Sequence, residues 1–227
     1  MYRRRRGAPL SDRASYKLPL ADTADVAKSE KARLRAQVRA ARRQLKAQAQ
    51  TDASFAVLAH ALTAELFFSG QHVAAYMAIG SELSLKPLLA VLLARGVFVY
   101  LPKVLTQKGE MQFLRYHGEA HLESGKFGIL APVSKSDDAV AASELDVILL
   151  PLLAFDAQGY RLGQGGGYYD RYLHALVSAK PLRVGVAFHF QAVKQLPTES
   201  FDQQLHAAIT ELGVIRFSAN LQGASTA

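Results

Sequence analysis

The residues with most chemical content lie in Asp146–Tyr172, DVILLPLLAFDAQGYRLGQGGGYYDRY. A strongly apolar strand runs into Gly163-Gln164-Gly165-Gly166-Gly167, and a helix follows. In a parallel sheet, ligands bind beyond the carboxyl ends of the strands. A glycine loop there exposes backbone N–H groups to a phosphate, aided by the positive end of the next helix. Side chains would block that approach and the φ > 0 angles it needs. Neither common nucleotide signature is met. Walker A needs Lys-Ser/Thr after its last glycine, and the dinucleotide pattern needs a small residue where Tyr168 stands. The glycines are also compatible with a plain flexible turn.

Several charged residues bear on this loop. Lys31 and Arg35, one helical turn apart, can face the same phosphates or form a solvated basic face. Arg161 precedes the loop and can stabilise developing charge or make a surface ion pair. Asp170 falls in the first turn of the following helix. There it can hold Mg²⁺ alongside phosphate oxygens, or stabilise the helix start.

The elements that must position these groups follow from periodicity. Leu34, Val38, Ala41 and Leu45 recur at helical spacing, in a helix opening at Ser29 or Glu30. Its other face carries Lys31, Arg35, Arg39, Arg42, Arg43 and Lys46. A second helix is predicted over Asp52–Phe68. Val73–Ile79 reads as a buried strand, Leu85–Arg95 as a helix and Val97–Leu101 as a strand. Met111–Tyr116 is a further strand, with an irregular stretch running on to Pro132. Leu145–Ala154 is an apolar strand, Tyr168–Ala179 a helix and Arg183–Ala187 a strand. This alternation predicts an α/β fold of three layers, α/β/α, with a mostly parallel, Rossmann-like sheet.

Composition bounds the rest. At 227 residues, half of them apolar and a fifth charged, the chain suits one domain with an appendage. The absence of Cys excludes a disulfide scaffold, a thiolate metal site and a cysteine nucleophile. Residues 1–50 hold 14 basic and 4 acidic residues, whereas the remainder nets −2. Residues 1–27 are read as a basic tail without fixed structure, 28–218 as a single α/β domain and 219–227 as a frayed end. The longest apolar run, Leu145–Phe155, is too short to span a membrane. No signal-peptide core follows Arg3–Arg6, a transit peptide stays open, and the cytoplasm is the expected location. His117-Gly-Glu-Ala-His121 misplaces its Glu for a zinc helix, and no Gly-x-Ser-x-Gly elbow exists.

The string Arg161-Leu-Gly-Gln-Gly-Gly-Gly-Tyr-Tyr-Asp170-Arg171 resembles the nucleotide-binding motif of the 5-formyltetrahydrofolate cyclo-ligases, also called methenyltetrahydrofolate synthetases. Other stretches agree in the family's order: Lys31-x-x-x-Arg35, Ala75–Glu82, Gly125–Pro132, and Leu196–Asp202 followed by Ile209-Thr210-Glu211. The chain departs from the family pattern at Ala131, usually Glu, and at His206, usually acidic.

The resemblance implies ATP- and Mg²⁺-dependent closure of 5-formyltetrahydrofolate to 5,10-methenyltetrahydrofolate, with release of ADP and phosphate. It implies ATP contacts by Lys31, Arg35, Arg161, Leu162, Gly163, Gln164, Gly165, Gly166, Gly167, Tyr168 and Tyr169, with Lys31 and Arg161 also catalytic. Folate contacts fall to Met77, Glu82, Gln164, Gly165, Gly166, Gly167 and Tyr168, and Mg²⁺ to Asp170 and Asp202. Lys103 is a lesser candidate for phosphates or the folate glutamate tail. A monomer is expected. Rival readings are a nucleic-acid binder using the basic N-terminal segment, a sugar-phosphate-binding relative that uses no ATP, and an inactive paralogue.

Overall fold

A computed structural model describes residues 23–105, 110–125, 128–133, 138–174, 181–199 and 202–217. In chain order the elements are α1 (Thr23–Gln44), α2 (Ala47–Thr63), β1 (His72–Ala74), α3 (Lys86–Ala94), β2 (Phe98–Val104), β3 (Met111–Arg115), β4 (Leu122–Ser124), β5 (Leu130–Pro132), β6 (Ala139–Val140), β7 (Val147–Pro151), β8 (Ala154–Asp156), β9 (Arg161–Leu162), α4 (Tyr168–His174), β10 (Leu182–Val186), β11 (Ala192–Val193), β12 (Ala207–Thr210) and β13 (Gly213–Arg216).

The central strands read as continuous apolar runs because both of their faces are covered. Val73, Val99, Leu101, Val147, Leu149 and Ile209 point into one core, with Val57 and Ala61 of α2 and Leu88, Leu89 and Leu92 of α3. Their neighbours Ala74, Tyr100, Ile148, Leu150 and Ala208 point the other way, into a second core with Leu173, Tyr169 and Tyr172 of α4. Alternate residues of a strand face opposite sides of its sheet, so one set of strands builds both cores. This is the three-layer α/β/α arrangement.

The main sheet has the order β13-β12-β10-β7-β1-β2-β3-β6. Its inner strands, β12-β10-β7-β1-β2, are parallel throughout. The flanking strands β13, β3 and β6 are antiparallel. From β1 the chain winds through α3 to β2 on one side, while β7, β10 and β12 build out on the other. The topological switch therefore falls between β1 and β7, and a crevice opens beyond their carboxyl ends. A smaller sheet, β11-β8-β9, stands next to it, and β4-β5 form a ribbon.

Several boundaries differ from those the sequence suggests. α1 begins at Thr23, with Asp25 in its first turn, where a negative charge suits the helix dipole. Residues 23–27 are thus helical, and 1–22 lie outside the described residues. α2 starts earlier, on the strong helix formers Ala47 and Gln48, and ends before Glu65, whose φ of 51° turns Leu66 and Phe67 into the core. The predicted strand Val73–Ile79 keeps only His72–Ala74 in the ladder, and the chain then runs out towards the crevice, leaving Ile79 exposed. The run Leu145–Ala154 splits into β7 and β8. Gln191 Nε2 ties both intervening carbonyls, Leu152 O and Leu153 O, at 2.9 Å. The stretch read as irregular up to Pro132 contains β4 and β5, and the β12–β13 hairpin was not anticipated. The helix predicted to Ala179 is described as far as His174. No described helix is long and apolar enough to cross a membrane.

Candidate functional site

Two segments leave the switch point. From β1 the chain continues through Met77 to Glu82, and from β7 it passes through the β8–β9 hairpin into the glycine loop. The hairpin is built by Asp156, whose Oδ1 accepts the N–H groups of Gln158 and Tyr160 at 3.0 Å. Its Oδ2 accepts Leu196 N–H at 3.1 Å, which ties the hairpin to the segment leading to Glu199. Side-chain capture of nearby N–H groups is why Asp favours such turns. Leu34 of α1 packs on Ala154, Leu162 and Leu196, and this seats the helix across the hairpin. Leu162 is buried there as a core residue.

The loop itself is shaped by Gly165 (φ 105°) and Gly167 (φ 66°), backbone states that L side chains avoid. Its carbonyls are held by cations. Arg35 Nε donates to Gly163 O at 3.0 Å, Arg39 Nη2 to Gln164 O at 3.1 Å and Arg171 Nη2 to Gly166 O at 2.9 Å. In a trans peptide the N–H points opposite to the C=O. The N–H groups of Gln164, Gly165 and Gly167 therefore point away from these arginines. Burial lowers the Arg35 pKa, and nearby Arg39 lowers it further. The Arg171 guanidinium also lies 5.3 Å over the Tyr168 ring.

The other charged residues singled out in the sequence are each held by a partner. Arg161, its side chain only 4% exposed, places both Nη atoms on Asp170 Oδ1 at 2.8 and 2.7 Å. Lys31 Nζ lies 3.1 Å from Glu199 Oε2 and 3.5 Å from Asp202 Oδ2. Asp202 Oδ2 also accepts Glu199 N–H at 2.9 Å. Glu82 is buried, with Oε2 accepting Ile79 N–H at 3.0 Å and Oε1 accepting Gln164 Nε2 at 2.7 Å. Among the described residues, no three His, Asp or Glu side chains gather into a metal-holding cluster. Lys103 is paired with Glu123 at 2.9 Å.

Met77 is buried in the core shared with α2 and α3. Tyr169 lies beside Glu82; burial pushes its phenol well up, Glu82 adds to the rise, and Arg161 opposes it. Two arginines were read only as part of a basic face. Arg39 grips Gln164, and Arg42 is 4% exposed and electrostatically coupled to Glu82 and Tyr76. Burial lowers the Arg42 pKa against the pull of Glu82, and its Nε has no hydrogen-bond partner among the described residues. The signal for both was their spacing, since Lys31, Arg35, Arg39 and Arg42 fall on one stripe of α1. A cleft of about 450 Å³ opens beside the hairpin, lined by Asp156, Gln158, Tyr160, Lys194, Leu196 and Thr198.

Fold and site together define an α/β protein with a mostly parallel sheet and, at its topological switch, a glycine loop held by a cationic helix. The model of the 5-formyltetrahydrofolate cyclo-ligase family matches residues 27–211. The chain is 35% identical over 173 residues to the 5-formyltetrahydrofolate cyclo-ligase of Haemophilus influenzae, covering 76% of this chain and 92% of that one. To the Escherichia coli cyclo-ligase it is 39% identical over 139 residues, covering 61% and 76%. The NMR structure of Aquifex aeolicus 5,10-methenyltetrahydrofolate synthetase superposes with a TM-score of 0.72 at 36% identity, over 82% of this chain and 92% of that one. The chain belongs to the 5-formyltetrahydrofolate cyclo-ligase family, and is an enzyme of the ligase class.

Proposed function

We propose that the protein closes 5-formyltetrahydrofolate to 5,10-methenyltetrahydrofolate using ATP, with release of ADP and phosphate. The observation that carries this reading is the double anchorage of the glycine loop. Arg35 holds Gly163, while Gln164 reaches the buried carboxylate of Glu82. A phosphate cradle and an acceptor for a nitrogen heterocycle are thus one hydrogen bond apart.

The oxygen of a formamide is a poor leaving group. Transfer of the γ-phosphoryl group to it gives an iminium phosphate. N10 then attacks the formyl carbon, and phosphate departs with the former formyl oxygen. Positioning and charge stabilisation are the main demands on the protein. In this reading the outward N–H groups of the loop hold the phosphates, and Lys31 and Arg35 turn from their present partners towards them. Arg161 neutralises charge between the γ-phosphate and the formyl oxygen. Leu162 shapes the loop entry, and Tyr168 and Tyr169 close it. The Asp156–Thr198 cleft, beside the segment that meets Lys31, takes the nucleoside end. Met77 packs on the pterin, and Glu82 accepts its ring N–H groups.

Mg²⁺ is held by one or two carboxylates together with phosphate oxygens and water. Asp170 and Asp202 fit that requirement, since each now faces a cation that phosphate would draw away. The ion would supply charge neutralisation on the phosphates. We read the protein as a cytoplasmic monomer.

The test mixes protein, 5-formyltetrahydrofolate and Mg²⁺, with and without ATP, and follows absorbance of the conjugated methenyl bridge. The band should grow only with ATP and disappear in Asp170→Ala. A folded protein that gives no band with ATP overturns the reading.

A further inference from the structure

Gln164 belongs to the phosphate loop by its backbone and to the Glu82 cluster by its side chain, so whatever fixes Gln164 acts on both. We propose that Arg39 is a positioning residue that locks Gln164 between the two ligands and thereby couples nucleotide binding to folate binding, a role that rests on the function proposed above. Arg39 Nε and Nη2 donate to Gln164 Oε1 at 3.2 and 2.9 Å, and Nη2 also donates to Gln164 O at 3.1 Å. The guanidinium thus grips the side-chain amide and the loop backbone of one residue together. A rigid fork can do this, and an ammonium, which is a single point of charge, cannot.

The grip decides which end of the amide meets Glu82. With Oε1 facing the cation, Gln164 presents Nε2 to Glu82 Oε1 at 2.7 Å. The other carboxylate oxygen is pinned by Ile79 N–H, and Arg42 supplies countercharge. Glu82 therefore has its orientation set on one side by its own loop and on the other by Gln164. Next to Gln164, Gly165 sits at φ 105°, with the Arg35 guanidinium 3.6 Å from where a Cβ would stand. A nucleotide that orders this loop fixes the Gln164 backbone, and through the Arg39 fork the amide that orients Glu82. Arg39 stands on the same α1 stripe as Lys31 and Arg35, so the helix that meets the phosphates also carries the link.

The experiment is calorimetric titration of the full chain with 5-formyltetrahydrofolate, alone and with saturating Mg²⁺ and a non-hydrolysable ATP analogue. In the wild type the analogue should tighten folate binding about tenfold, within the usual range for coupled sites. In Arg39→Met the ratio should fall to about one, whatever the change in affinity for either ligand alone. Arg39→Lys keeps the charge and loses the fork, so its ratio should also fall; it carries the test by itself if the methionine variant does not fold. A ratio unchanged in Arg39→Met, or restored in Arg39→Lys, overturns the proposal, because neither fits a positioning fork. A wild type that binds both ligands without coupling overturns it alone. A wild type that binds neither removes the functional reading and the proposal with it.

Discussion

Arg161 commits two donors to one oxygen of Asp170, a residue nine positions away in sequence and across the glycine loop. Both groups have reason to exchange this partner for a ligand. The carboxylate is 29% exposed, so truncation of Arg161 leaves Asp170 in reach of water rather than stranded without a partner. Arg161→Gln should therefore shift the melting temperature by only a few degrees. It should lower kcat/KM by about 10²-fold or more, as loss of a donor aimed at developing charge does. Steady-state kinetics beside a thermal melt check this, and a variant with wild-type kcat/KM would remove Arg161 from the chemistry. Residue type and local spacing mark Arg161, Lys31, Arg35 and residues 163–167 as a candidate site in the sequence. The Arg161–Asp170 pairing carries no such mark, because only the folded hairpin and loop bring the two together. Arg39 is visible in the sequence as one of a run of basic residues on one helix face, but its role depends on which flank of the helix meets the loop.

In the proposed reading the backbone of the glycine loop, rather than its side chains, meets the nucleotide. At Gly165 a Cβ would meet nothing closer than 3.6 Å, so substitution is opposed by φ 105° and not by crowding. An alanine there strains the backbone by about 1–2 kcal/mol. The loop segment is exposed and lies outside both cores, so the strain is relieved by local rearrangement. Gly165→Ala should accordingly leave the unliganded melting temperature within a few degrees of wild type, yet reduce stabilisation by Mg²⁺-ATP, with affinity falling about tenfold. Undiminished stabilisation by the nucleotide would show that the loop backbone does not bind it. Hydrophobic runs made the inner strands and both covering layers legible. They hid the break between β7 and β8, because Leu152 and Leu153 are as apolar as the strands on either side. That break is held by Gln191, far downstream, and local periodicity carries no trace of such a tie.

At the scale of the whole molecule, the inner strands carry two cores at once, so a polar group near their starts affects both layers. His206 is such a group. Its Nδ1 accepts Arg183 N–H at 2.8 Å, and the Arg183 guanidinium lies 3.3 Å from Nε2. The imidazole stays neutral beside this cation. Burial, and then the charge of Arg183, push its pKa down from 6.5 to about 4. An unfolded histidine titrates near 6.5. Between these values the unfolded chain binds a proton that the native chain refuses, so stability rises with pH across the window. The contribution is fully present above about 6.5 and is lost as pH falls towards about 4, where the native ring also protonates and the slope ends. At about 1.4 kcal/mol per unit the full loss is on the order of 3 kcal/mol, and about 2 kcal/mol of it falls between pH 7.5 and pH 4.5. His206→Gln keeps an acceptor for Arg183 N–H and removes the titration. Urea unfolding at pH 7.5 and pH 4.5 should show wild type losing about 2 kcal/mol more than the variant. The carboxylates that drive general acid unfolding are common to both proteins and cancel in that difference, so equal losses would mean that His206 protonates in the native state without penalty.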